Sequence, residues 1–242
     1  MNHLYKLLST IRSLLFDTLS PAICVNCRSV SENKEGLCAT CLGSVTVNDT
    51  AICSTCRARL PENKKICHKN SAYLLAAATN YSNDVARNII WQYKYRHKPW
   101  LAKQSGKILA QFLEKSNLQS VIDSNAIISP MPLHKKRERK RGFNQSLLLA
   151  QELSQLLKLP IHNTLMRVKD TPRQAEISDY DRRRDNIAGC FVLDKGIAPT
   201  IKGRQIILVD DVTTSGATLN EAARALKTAG ARKIIGLVIA KA

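Results

Sequence analysis

The apolar positions change period along the chain, and the changes mark its elements. Ile206–Val209 is an unbroken apolar run with two isoleucines and a valine. A run that short and that β-branched predicts a strand buried on both faces of a parallel sheet. The alanine-rich segment 217–229 then has helical spacing and stops at Gly230. Earlier, Tyr73–Tyr81 is apolar and weakly alternating, which predicts a strand, and 83–95 and 101–116 carry helical patterns separated near Pro99. Between those helices, Trp91–Trp100 interleaves aromatics with Lys94, Arg96, His97 and Lys98. That composition suits base stacking and phosphate neutralisation, but Trp91 is read as a core aromatic with snorkelling basic neighbours. Ala126–Pro132 predicts a buried strand ended by prolines, Gln145–Leu157 a leucine-rich helix, and Ile234–Ala240 a last buried strand. Residues 159–205 are the least regular. At the start, Leu4, Leu7, Leu8, Ile11, Leu14, Leu15 and Leu19 fall at helical spacing with Lys6 and Arg12 between them, which predicts an amphipathic helix over 1–20. The fold expected is α/β, a doubly wound, mainly parallel sheet with flanking helices.

The residues directly after the central run carry the chemistry. Asp210 and Asp211 come immediately after Val209, then Thr213, Thr214, Ser215, Gly216, Ala217 and Thr218. A small-residue turn at a helix N-terminus offers free N–H groups and the positive end of the helix dipole, which suits a phosphate. Adjacent acids at a strand end can accept hydrogen bonds from vicinal sugar hydroxyls. Phosphate on one side and a diol on the other describe a ribose 5-phosphate. A capped helix beside solvated acids is the bland alternative, and the buried strand with both acids in place argues against it.

The eight cysteines change the picture of the N-terminal part, because seven of them lie between 24 and 67. Cys24, Cys27 and Cys38 recur 29 positions later as Cys53, Cys56 and Cys67. Cys24-x2-Cys27-x10-Cys38-x2-Cys41 is a four-thiolate zinc pattern, two knuckles completing one tetrahedron. In the second copy the fourth place falls on Asn70, so this set is either a Cys3His site completed by His68 or a decayed one. A pairing of Cys38/Cys41 with Cys53/Cys56 stays open. A module of this size buries too little surface to stand alone, so the zinc is expected to be structural. The organisation expected is the helix over 1–20, a Cys-rich zinc-ribbon or knuckle module over 21–70, and an α/β domain over 71–242.

Charge adds a partner class. With 37 basic and 19 acidic residues the formal net charge is +18, and a chain this basic is drawn to polyanions. Six of the seven residues from Lys135 to Arg141 are basic. Such a run usually reads as a solvated loop, yet it lies between a strand end and a helix, where α/β sheets keep ligand loops. No run reaches the roughly 18 apolar residues of a membrane span. No small-residue cleavage site comes after the first helix. No stable membrane insertion and a cytoplasmic location are therefore expected, with thiols kept for metal.

The segment VDDVTTSGAT resembles the phosphoribosyl-pyrophosphate (PRPP) motif of type I phosphoribosyltransferases, with Ser215 in place of the second threonine of the usual TTG-type loop. Taken with PMPLH, the basic run, RGFNQ, RVKDTPRQAEIS and RRRDNIAGCF, and with a CxxC module ahead of them, the chain from about 21 to 242 resembles the ComF/GntX family. The resemblance implies a type I phosphoribosyltransferase-like sheet with flanking helices and a PRPP site on Asp210, Asp211 and Thr213–Thr218. Magnesium would come with the diphosphate. Ser129, Pro130, Met131, Arg137, Arg139 and Arg141 would meet the pyrophosphate, and 169–185 would be a closing loop. It also implies a part in DNA uptake beside a helicase-like competence protein. Lys135, Lys136, Lys140, Arg182, Arg183 and Arg184 are the residues expected to hold single-stranded DNA. Two readings remain: a DNA-handling competence protein with a PRPP site, or an enzyme transferring phosphoribosyl from PRPP to an unknown acceptor.

Overall fold

The structure is a computed structural model that describes residues 23–31, 35–60, 67–68, 71–171, 187–194 and 196–242. The predicted helix over 1–20, Asn70, Arg182–Arg184 and most of 169–185 lie outside the described residues. In chain order the elements are α1 (Ala39–Gly43), β1 (Ala51–Cys53), β2 (Arg59–Leu60), β3 (Leu74–Asn80), α2 (Asp84–Tyr95), α3 (Leu101–Lys115), β4 (Ile127–Pro130), α4 (Lys135–Arg141), α5 (Gln145–Leu157), β5 (Leu165–Arg167), β6 (Phe191–Leu193), α6 (Ala198–Ile201), β7 (Gln205–Thr213), α7 (Ala217–Thr228) and β8 (Lys233–Lys241).

Among the described residues, six strands form one sheet in the order β2-β1-β3-β8-β7-β4. The four strands from β3 to β4 are parallel, and β1 and β2 add antiparallel at the β3 edge. Successive residues of a strand face opposite sides, so each parallel strand feeds two cores. In β7, Ile207 and Val209 join the core with Ile89, Ile90, Phe112 and Leu149 from α2, α3 and α5. Ile206 and Leu208 join the other with Leu219, Ala222, Ala223 and Leu226 of α7. This is why Ile206–Val209 reads as a run and not as an alternation. Pro130 fits β4 because that strand is the sheet's far edge and lacks a second ladder partner within the sheet.

The cysteine-rich segment is joined to this body. Ile52 and Cys53 pair with Leu75 and Leu74, so the sheet runs continuously across the expected boundary at residue 70. Cys24, Leu37, Cys41, Ala51 and Cys53 share the core of α2 and α3. Glu35 accepts hydrogen bonds from Lys107 at 2.5 Å and Gln104 at 2.5 Å. The flanking Lys103 and Lys107 ammoniums hold its carboxyl down to about 2.

Two expectations change. The basic run is helical: α4 is capped by His134, whose ring accepts from the Lys136 N–H, and it ends at Gly142 with φ +79°. Glu138 in its first turn and Arg139, Lys140 and Arg141 in its last suit the helix dipole, which offsets the repulsion of like charges. Trp91 is 40% exposed. One face of α2 holds Ile89, Ile90 and Tyr93 in the core, and a period of 3.6 puts Trp91 on the other.

Candidate functional site

β7 continues in register through both acids to Thr213, so the acids belong to the end of the strand and not to a loop. Asp211 is buried, and its Oδ1 lies 3.2 Å from the Lys94 ammonium of α2. Its other oxygen, Oδ2, is buried without a hydrogen-bond partner among the described residues. Asp210 is half-buried and accepts from the Ser146 hydroxyl at 3.0 Å and the Asp211 N–H at 2.8 Å. Burial, and then the neighbouring Asp211 carboxylate, push the Asp210 carboxyl up to about 7. An orphaned buried carboxylate oxygen is costly.

Thr213 ends the strand, and Gly216, at φ +81°, turns the chain into α7. A Cβ at Gly216 would lie 2.8 Å from the Tyr73 hydroxyl, and that hydroxyl donates to the Gly216 carbonyl at 3.5 Å. Tyr73 thus holds the turn from below, and the turn needs glycine for both conformation and space. Thr213, Thr214, Ser215, Gly216, Ala217 and Thr218 line a cleft of about 430 Å³, together with Asp210 and Asp211. Ala217, Thr218 and Leu219 of the first turn of α7 line this space, and the N-terminal end of a helix suits an anion.

The opposite wall is cationic. Arg137, Lys140 and Arg141 line the cleft, a spacing of three and four that puts them on one face of α4. Lys135, Lys136 and Arg139 do not line it. Arg139, expected at the pyrophosphate, thus lies away from the cleft lining, and Lys140, expected on DNA, lies in it. Met131 lines the cleft, whereas Ser129 is buried with its hydroxyl 2.6 Å from that of Thr164, and Pro130 is buried in β4. Both support the strand and do not reach the cleft.

RGFNQ gains a physical meaning here. Gly142 closes α4, and Asn144 caps α5 through the Ser146 N–H while its amide donates to the Met131 carbonyl at 3.0 Å. Phe143 packs against Tyr93 at 6.4 Å, and Gln145 accepts from the Arg141 guanidinium.

Two residues of the cleft belong to motifs read from the sequence but are not assigned to this site by them. Sequence spacing groups Lys94 with the aromatic stretch, although Ile90 and Tyr93, four and one positions before it, put it at the edge of the buried face. Arg167 lines the cleft from β5, with its guanidinium donating to the Thr171 hydroxyl at 2.7 Å. Burial and the adjacent Arg137 lower its pKa. Such crowding of cations fits a site that takes a multiply charged anion.

Among the described residues, seven cysteines and His68 form two groups, and within each the ligand atoms lie within 4.8 Å of one another: Cys24, Cys27, Cys38 and Cys41, and Cys53, Cys56, Cys67 and His68. Each could hold a metal ion. The cross-pairing of Cys38/Cys41 with Cys53/Cys56 is not the one formed. Hydrogen bonds from the Ser29 hydroxyl and N–H pull the Cys27 thiol down to about 6, whereas burial pushes the Cys41 thiol up to about 12. The Asn26 amide donates to Cys41 Sγ at 3.3 Å, an outer contact of the kind metal sites use. No helix of the described residues is long and apolar enough to cross a membrane.

Known proteins are similar to this chain over part or most of its length. The phosphoribosyl transferase domain family matches residues 144–242. Competence protein F of Haemophilus influenzae is 34% identical over 149 residues, 60% of this chain and 63% of that protein, which is under two thirds of its length. Competence protein ComFC of Bacillus subtilis is 29% identical over 91% of this chain and 84% of its own. DNA utilization protein YhgH of Escherichia coli is 28% identical over 88% and 94%. Among solved structures, the glutamine PRPP amidotransferase from B. subtilis, complexed with ADP and GMP, aligns over 60% of this chain and 30% of that one, at 17% identity with a TM-score of 0.38.

Proposed function

Because the chain belongs to the ComF family, with a phosphoribosyltransferase-like domain, we propose that it is a competence protein that assists DNA uptake and carries a working PRPP site. The observation that carries the site is the buried, unpartnered Oδ2 of Asp211 beside the cradle of Thr213–Thr218. Asp210 and Asp211 take the ribose hydroxyls, directly or through magnesium, and the cradle takes the 5-phosphate. Arg137, Lys140, Arg141 and Arg167 take the diphosphate. Magnesium, when bound with the ligand, neutralises diphosphate charge and keeps waters, as it does where no protein cage encloses it. The protein's own part is positioning and charge stabilisation. Zinc on the two cysteine groups is structural: a full set of protein ligands leaves no open position for chemistry.

Single-stranded DNA is the second ligand, held by the cations of α4 that do not line the cleft and by a net charge of +18. A helicase-like competence protein is the partner the family suggests, in the cytoplasm. The test is calorimetry with PRPP and magnesium and then with a single-stranded oligonucleotide. PRPP binding at micromolar concentration, and separate DNA binding that weakens with salt, support the reading. Failure of PRPP to bind in the presence of magnesium contradicts it.

A further inference from the structure

Helix α2 has a second face that meets the PRPP cleft at Tyr95 alone and carries Trp91 away from it. Trp91 and Tyr95, one turn apart, are 40% and 45% exposed, with ring centroids 5.9 Å apart. The Arg96 guanidinium lies over the Trp91 ring, 5.1 Å from its centroid. Tyr95 also lines the cleft, as does His97 two residues on. His97 donates its Nδ1–H to the Arg141 carbonyl at 2.7 Å, which ties this end of α2 to the basic wall. An aromatic pair thus runs along the outside of α2 and ends at the rim of a cleft built for a sugar phosphate. Both rings are partly open to solvent, with the Arg96 cation beside Trp91 and the α4 backbone reached through His97.

We propose that Trp91 and Tyr95 form a base-stacking platform for single-stranded nucleic acid, with Arg96 on its backbone, leading the strand along α2 to the mouth of the cleft. The occupant is set by the chemistry. Flat exposed rings beside cations match a polyanion with flat faces, and stacking on aromatics serves any base sequence. An acidic peptide would use the cations and leave the rings exposed. The proposal rests on the reading that the chain binds single strands, and it moves part of that contact from α4 to α2.

The chain has two tryptophans, so Trp100→Phe leaves Trp91 as the sole indole reporter in the full-length protein. Titration with oligothymidylate should quench its emission, whereas an abasic strand of equal length and charge should bind at least fivefold more weakly with little quenching. Trp91→Ala should weaken oligothymidylate about tenfold without changing the salt slope or PRPP affinity, and Trp91→Phe should restore most of the loss. Equal affinity for intact and abasic strands, with Trp91 emission unmoved, overturns the platform while leaving DNA binding in place. Absence of any strand binding overturns both it and the DNA reading. Emission that changes with protein concentration in the absence of nucleic acid makes this face an interface between copies, and that also refutes it.

Discussion

Asp210 and Asp211 look alike in the sequence and differ in the structure. Asp211 has a counter-ion in Lys94 at 3.2 Å, whereas Asp210 has hydroxyl and N–H donors and a carboxylate neighbour. Burial and that neighbour push Asp210 up to about 7, against about 4 for a free aspartate in the unfolded chain. Between those values the folded state binds more protons than the unfolded state, so this group makes stability fall as pH rises. The ligand-free protein should therefore lose stability from pH 5 to pH 8 by urea unfolding, and Asp210→Asn should flatten that slope. Equal slopes in the two proteins would place the charge elsewhere. The acids themselves were legible because they come directly after an apolar run. Their unequal environments were not, since Lys94 and Ser146 belong to helices remote in sequence, Ser146 lying 64 positions from Asp210.

At the scale of elements, the strands and long helices are legible from period and length, because β7 is buried on both sides and α5 has one apolar face. The short α4 was not, because its six like charges mask its end signals. His134 and Gly142 supply those signals through a side-chain acceptor and a positive φ. The helix divides its cations by face, which gives a prediction. Lys135→Glu, Lys136→Glu and Arg139→Glu together should weaken DNA binding and lower its salt slope by about 2, at about 0.7 per phosphate contact on a single strand. PRPP affinity should stay within about twofold, because these three side chains do not line the cleft. Filter binding across a salt series measures the slope, and an unchanged slope moves the electrostatic contact off α4.

For the whole molecule, the cysteine groups are part of the main body. Cys53 lies in β1, which pairs with β3, and Cys24 and Cys41 are in the core of α2 and α3. Removing metal should therefore be felt in the entire fold. Full-length protein prepared under reducing conditions should carry at least one equivalent of zinc, and its removal by a strong chelator should lower the melting temperature by roughly 5 °C or more, the response to about 1–2 kcal/mol. A metal-free protein that melts unchanged would make the cysteines incidental. The repeat of CxxC spacing announced the two groups. It did not announce that their strand extends the central sheet, because β1 and β2 are too short to show a period.

The end of β7 and the turn after it are assigned as a PRPP site, and everything else in the molecule is placed around them. The measurement that tests this most directly is calorimetric titration of PRPP with magnesium into the wild-type protein and into Asp210→Asn/Asp211→Asn, with circular dichroism to show that both are folded. Loss of binding by at least a hundredfold in the folded double variant is the result predicted. PRPP affinity unchanged in that variant would contradict the assignment of the site.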